Sequence, residues 1–347
     1  MLPDYLDKML PDELWDHYTR AEEYSALNHD KFGRFMFYQS RHRDIFSARV
    51  SEYLVNQGYS PKYPDNRDFA VCLTHDIDVI YNPLISRLSS CAKFVRHKNW
   101  TKLAAGIAAI PRKKKPYFNF REIMDLEEKY NARSSFYFFA LKPGDPDYSY
   151  DIRDVRDELK EIDQRGYEVG LHGGHTAWNS FDVIAEEKKR LEETFGKSVT
   201  GYRNHFLRFK VPDTWEYLAK AGFKYDATIG YADCAGFRNG MCHPYYPYNL
   251  KTEEFIDIME IPLVVMDGTL WDTYMRLSNE DAFSLMTRLI DTAAELHGVF
   301  TLLWHNSSLV KDSENLVMYE KILAYCNEKN AWMTSGKNIH EWFTTEK

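Results

Sequence analysis

A β-prone run, Phe69-Ala-Val-Cys-Leu-Thr74, ends abruptly in His75-Asp76-Ile77-Asp78. In an extended chain, residues two apart point to the same side, so Asp76 and Asp78 share a face. Two carboxylates that close raise each other's proton affinity unless a positive charge lies between them. The pair is therefore either a turn following the strand or part of a cation site. Imidazoles and a guanidinium occur further on: His172 and His175 in LHGGHTAW, Arg203 and His205 in GYRNHFLRF, and His305 in LLWHN. One Asp with two His is a ligand set for a divalent ion, and catalytic zinc takes such ligands while keeping a position open for water. Asp78, His172 and His175 are the candidate ligands, which leaves Asp76 free to act as a base. A bound ion lowers the pKa of its water and polarises a carbonyl oxygen.

The elements that must position these groups alternate along the chain. Strand candidates are 69–74, 134–140, 167–172, 198–203, 223–229, 259–265, 298–305 and 331–335. Amphipathic helical patterns at 151–165, 181–195, 212–221, 280–296 and 313–329 fall between several of them. Such alternation predicts an α/β fold with a mainly parallel sheet. Nearly eight repeats favour a barrel, irregular or open, over a doubly wound sheet. In parallel α/β folds the C-terminal strand ends gather on one face and build the site. Asp76, Asp78, His172, Arg203 and His305 all stand at such ends, so distance in sequence is no obstacle to their meeting.

These motifs resemble, in order and over roughly residues 69–343, those of the polysaccharide deacetylase (NodB-homology, carbohydrate esterase family four-like) family. The resemblance implies a distorted or incomplete (β/α) barrel that removes N-acetyl groups from sugars with a divalent metal ion, zinc being the expected one. Thr74-His75-Asp76-Ile77-Asp78 stands in place of the usual T-F-D-D-G and looks like the variant branch with Asp-x-Asp. By that likeness Asp76 is the base, paired with Arg203, and Asp78, His172 and His175 hold the metal. A backbone N–H near Phe206 helps to stabilise the oxyanion. His305 protonates the leaving amine, kept charged by Asp267 or Asp272. Two departures stand out. The histidines of the second motif are three apart instead of four, with Gly173 and Gly174 between them permitting unusual backbone angles. His205 occupies the place of the family's proline, where it replaces His175 at the metal, binds substrate or orients Arg203.

The expected activity is hydrolysis of an N-acetyl group from an amino sugar or glycan precursor. The alternatives are hydrolysis of another C–N amide bond on the same scaffold, such as a small cyclic amide, and a non-catalytic glycan-binding homologue. His205, Phe206, Tyr231 and Trp304 are the candidate substrate contacts. Tyr231, Arg238 and the run HPYYPY (243–248) either floor a sugar site, since aromatic faces stack on sugars, or pack a loop. His75 is expected to be structural, and Arg208 an ordinary ion-pair partner.

Residues 1–66 read as a helical segment packed on a barrel domain spanning 67–347, with a helical insertion at about 82–118. That insertion, from 84 to 118, is basic in an otherwise acidic chain. It is read as a solvated insertion, a lid, or a peripheral contact with an anionic membrane surface. The net charge of −8 argues against a nucleic-acid partner. No window is long and apolar enough to cross a bilayer. The first residues lack the basic region and apolar run of an export signal, so a cytoplasmic location is expected. The five cysteines, odd in number and without C-x-x-C spacing, are expected to be reduced thiols.

Overall fold

The computed structural model describes residues 10–81 and 116–345. The basic insertion, but for residues 116–118, lies outside the described residues, as does Cys91.

Each expected strand segment forms at least part of a strand. In chain order these are β1 Phe69–Ile77, β2 Ser135–Phe139, β3 Glu168–Gly173, β4 Gly201–Asn204, β5 Tyr225–Asp226, a hairpin of β6 Tyr248–Asn249 and β7 Glu254–Phe255, then β8 Met259–Glu260, β9 Val265–Met266, β10 Val299–Leu303 and β11 Ala331–Thr334. All but the hairpin join one parallel sheet in the order β8-β5-β4-β3-β2-β1-β10-β9, with β11 paired to β1. β1 is its axis. Ala70–Thr74 pairs with β10, Phe69–Cys72 with β11, and Thr74–Ile77 with β2. Every β1 residue is buried, which is why the segment reads as an unbroken apolar run up to its polar end.

The sheet curls into a half-barrel with helices outside. The expected strand at 259–265 is in fact two strands, at opposite edges of the sheet. Pro262 cannot donate a ladder hydrogen bond, and the chain breaks there. The connector then crosses the gap between the edges, with Leu263 N donating to Ile229 O (2.8 Å) and Val264 N to Thr301 O (3.1 Å). Among the described residues this connector spans the gap, and no strand pairing between β8 and β9 closes it.

The helices follow their sequence signals. At Phe181–Phe195 the Ser180 side chain accepts from Val183 N at the start, and Gly196, at φ 84°, ends the helix. The N-terminal segment is less helical than expected: its described α-helices are Asp12–Thr19, which stops at Arg20, the single turn Ala21–Tyr24, and Arg49–Asn56. Arg20 adopts a left-handed conformation (φ 57°) and turns its guanidinium inward. It donates there to Arg238 O (2.6 Å), Glu23 (2.7 Å) and Glu22 (2.9 Å). Glu23 also pairs with Arg238 at 2.6 Å, so a buried ion network ties the N-terminal segment to the barrel loops.

Candidate active site

The C-terminal end of the half-barrel gathers Asp76 from β1 and Asp78 just after it, His172 from β3, His205 just after β4 and His305 just after β10. Three imidazoles aim Nε2 at the Asp78 carboxylate, from His172 at 3.1 Å, His205 at 3.6 Å and His305 at 3.6 Å. Each is anchored through Nδ1. His172 Nδ1 faces Arg203 O at 3.1 Å, His205 Nδ1 faces Asp147 at 3.2 Å, and His305 Nδ1 faces Asp267 at 2.6 Å. Anchoring Nδ1 sets the tautomer and frees Nε2, the arrangement seen around ligating imidazoles.

Tyr150 OH donates to Ile77 O at 2.8 Å and Ser149 Oγ to Asp78 O, which fixes the end of β1. Burial would raise the Asp78 pKa, but His205, His172 and His305 outweigh it and hold the carboxyl well below its usual range. Burial likewise opposes charge on His305, yet Asp267, then Asp78 and Asp76, push its pKa up to about 10. His205 is pushed up to about 9, with Asp78 and Asp147 overcoming burial.

Among the described residues, one group of three could hold a metal ion: Asp78, His172 and His205. Their donor atoms lie within 4.8 Å of one another. The fit is supported by His172 Nε2, which is buried without a hydrogen-bond partner although Asp78 is near. Donors that converge without aligning on each other suit an ion between them, and one carboxylate with two imidazoles suits zinc or a similar ion.

His175, expected as the third ligand, lies outside this group. Its Nδ1 meets Asp147 at 2.9 Å, on the same oxygen that holds His205. A gap of three residues turns it toward the 142–150 loop. Gly173 and Gly174 do not take left-handed angles; they are tight contacts. A Cβ on Gly173 would fall onto Tyr202 Oη, and one on Gly174 onto Leu141.

Arg203 does not pair with Asp76. Its Nη2 donates to Thr74 Oγ1 at 3.1 Å, and the guanidinium lies over the Tyr137 ring at 5.4 Å. Thr74 is one inward position below Asp76 on β1, and the side chain reaches that lower layer. Tyr231 and Trp304 do not line the cavity. Trp304 is fully buried against Trp271 and Tyr319, while Tyr231 packs on Phe37, Arg20 and Arg238. The run 243–248 packs loops: His243 is held by Ser51 and Leu296 O, and Tyr245 lies against Tyr18. His75 is structural, between Trp304 O (2.9 Å) and Glu127 (2.8 Å). Arg208 has no carboxylate partner among the described ion pairs; it donates to His175 O and stacks on Trp178.

Above the converging groups lies a cavity of about 510 Å³. Asp76, Asp78, His205, Phe206 and His305 line its floor. Its walls come from residues 30–34 and from Asp272–Tyr274. Asp272 was expected as an alternative partner of His305, a place Asp267 takes, while the other wall residues and Asp147 were not expected at the site. The loop Lys142-Pro-Gly-Asp-Pro-Asp147 reads as a turn, and nothing in Asp30-Lys-Phe-Gly-Arg34 signals a site.

No protein-family profile matches the chain. It is 27% identical over 178 residues to the peptidoglycan deacetylase of Helicobacter pylori. That match covers 46% of this chain and 54% of the relative, about half the length of the curated protein. Among solved structures, a Mycobacterium smegmatis protein assigned as a polysaccharide deacetylase superposes with a TM-score of 0.56 at 16% identity, covering 83% of this chain and 94% of the other. A Pseudomonas aeruginosa PAO1 counterpart gives 0.58 at 12% identity, covering 84% and 97%. The PuuE allantoinase gives 0.57 at 13%, covering 83% and 95%. The fold is that of the NodB-type polysaccharide deacetylases. The sequence match to a peptidoglycan deacetylase points to the same class as the motif order does.

Proposed function

We propose that the protein is a divalent-metal-dependent hydrolase that removes the N-acetyl group from an amino sugar or glycan precursor. The observation that carries this is the aim of three anchored imidazoles at one carboxylate on the cavity floor. Asp78, His172 and His205 would hold the ion, zinc by the donor set. When bound it would lower the pKa of a water and polarise the acetamide carbonyl.

The chain's own groups supply the proton steps. Asp76 is buried, with Oδ1 unpartnered and Oδ2 3.7 Å from His172 Nε2, which suits a base that takes the proton of the attacking water. The backbone N–H of Phe206, at the cavity floor, is a candidate donor to the oxyanion. His305, charged through Asp267, gives its proton to the departing nitrogen as the C–N bond breaks, leaving acetate and a free amine. Four buried free thiols, Cys72, Cys234, Cys242 and Cys326, fit the reducing cytoplasm in which we place the reaction. No described helix is long and apolar enough to cross a membrane.

The test measures bound metal and acetate release from a panel of acetamido sugars, with ammonia release from small amides alongside. One divalent ion per chain and acetate from an acetamido sugar support the proposal. Turnover of small amides alone would move it to another C–N hydrolase, and sugar binding without turnover in added zinc to a glycan-binding protein.

A further inference from the structure

The N-terminal segment at residues 30–34 touches the site in a way the deacetylase chemistry does not require. Phe32 stacks on Phe206 with ring centroids 4.4 Å apart and planes at 20°. Phe206 in turn stacks on His205 at 3.8 Å and 23°. Both faces of Phe206 are therefore covered, so its ring is a spacer and not a sugar platform. The column runs from the N-terminal segment to the imidazole that faces Asp78.

Arg34 secures the same loop. Its Nη1 donates to Phe206 O at 2.7 Å and its Nη2 to Tyr274 OH at 2.6 Å, while Asp30 holds the guanidinium at 2.6 Å. Arg34 is nearly fully buried, so these are fixed contacts and not a solvated pair. The loop needs such holding. Phe206 and Leu207 both have left-handed backbones, at φ 59° and 54°. Such a conformation is unfavourable for a non-glycine residue and persists only where its surroundings dictate it.

We infer that Phe32 and Arg34 are positioning residues for His205: the N-terminal segment sets the ring and backbone that place the third candidate ligand. This rests on the proposed ion site, within which it makes residues 30–34 part of the metal centre's support. Groups that orient a ligating imidazole typically change metal affinity by roughly 10- to 100-fold when removed.

The experiment measures Zn²⁺ affinity of the full chain by competition with a chromophoric chelator, with urea unfolding in parallel. Arg34→Gln and Phe32→Leu should each bind Zn²⁺ about 10- to 100-fold more weakly than wild type, and Phe32→Tyr should match wild type. Phe32→Leu keeps apolar bulk without the ring, so it separates lost stacking from lost folding. Equal affinity in Phe32→Leu and wild type would overturn the inference, as would weakening that merely tracks the urea midpoint. A wild-type chain that binds no stoichiometric Zn²⁺ would overturn the site itself, a result distinct from unchanged affinity in the variants.

Discussion

His305 bonds Asp267 at 2.6 Å through Nδ1 while its Nε2 sits 3.6 Å from Asp78. The ring thus spans a buried carboxylate and the cation site, with its proton aimed into the cavity. An ion on Asp78 would neutralise that carboxylate, leaving Asp267 as the partner that keeps the ring charged. Against the effect of burial, Asp267 holds the ring's pKa above the ordinary histidine range, so the imidazolium persists into alkaline pH and is lost as pH rises through the raised value. In Asp267→Asn the alkaline fall in kcat should therefore move to lower pH, toward the ordinary histidine range. A rate–pH profile of wild type and variant checks this.

Arg203 bonds Thr74 and, among the described residues, no arginine forms an ion pair with Asp76, so the role of Asp76 is separable from the Arg203 layer. Asp76→Asn should lower kcat by roughly a hundred- to ten-thousand-fold while metal content stays at the wild-type level. Metal analysis together with acetate release measures both. Unchanged turnover would remove Asp76 as the base.

The two histidines that share Asp147 should behave differently. His205→Ala should weaken Zn²⁺ binding by more than about 100-fold, beyond what loss of an orienting partner does. His175→Ala should alter it far less, because His175 lies outside the ligand group and touches it indirectly, through the Asp147 oxygen and an edge contact with Phe206. Chelator competition on the two variants compares them directly.

Gly173 is held by space. A Cβ there would collide with Tyr202 Oη, and the Tyr202 hydroxyl is itself bonded to Asn204 at 2.6 Å. Gly173→Ala should destabilise the chain by about 1–3 kcal/mol, the usual cost of overpacking. Urea denaturation reads the change.

Glu187 is buried and accepts from Gly174 N at 2.9 Å. Burial pushes its pKa up from 4.5 to about 7, against the amide and Arg190. Between those values the folded state holds a proton that the unfolded state releases, so stability falls as pH rises through this window. The full cost, of order 3 kcal/mol, applies above pH 7. Glu187→Gln should be more stable than wild type at pH 8 by up to that amount and about equal near pH 4.5. Urea midpoints at the two pH values check the sign.

The strand ends were legible in the sequence because burial on both faces writes an apolar run, and a sudden Asp or His at its end stands out. β1, β2, β3, β4, β10 and β11 fall where such runs predicted, and Asp78, His172 and His305 meet as their strand ends required. Long-range packing decided the remainder. Pro262 marks a break in the run at 259–265, but that its two halves lie at opposite edges of the sheet is set by packing that no local pattern discloses.

Whether His175 or His205 faces Asp78 depends on where the Asp147 loop and the left-handed turn at Phe206 place two rings that are equally plausible by type. The partner of Arg203 depends on which inward layer of the half-barrel its side chain reaches. Residue type and spacing thus determined the chemistry available to this chain. The tertiary structure chose among equivalent donors, because donor choice is set by contacts between segments far apart in sequence, such as Arg34 with Phe206.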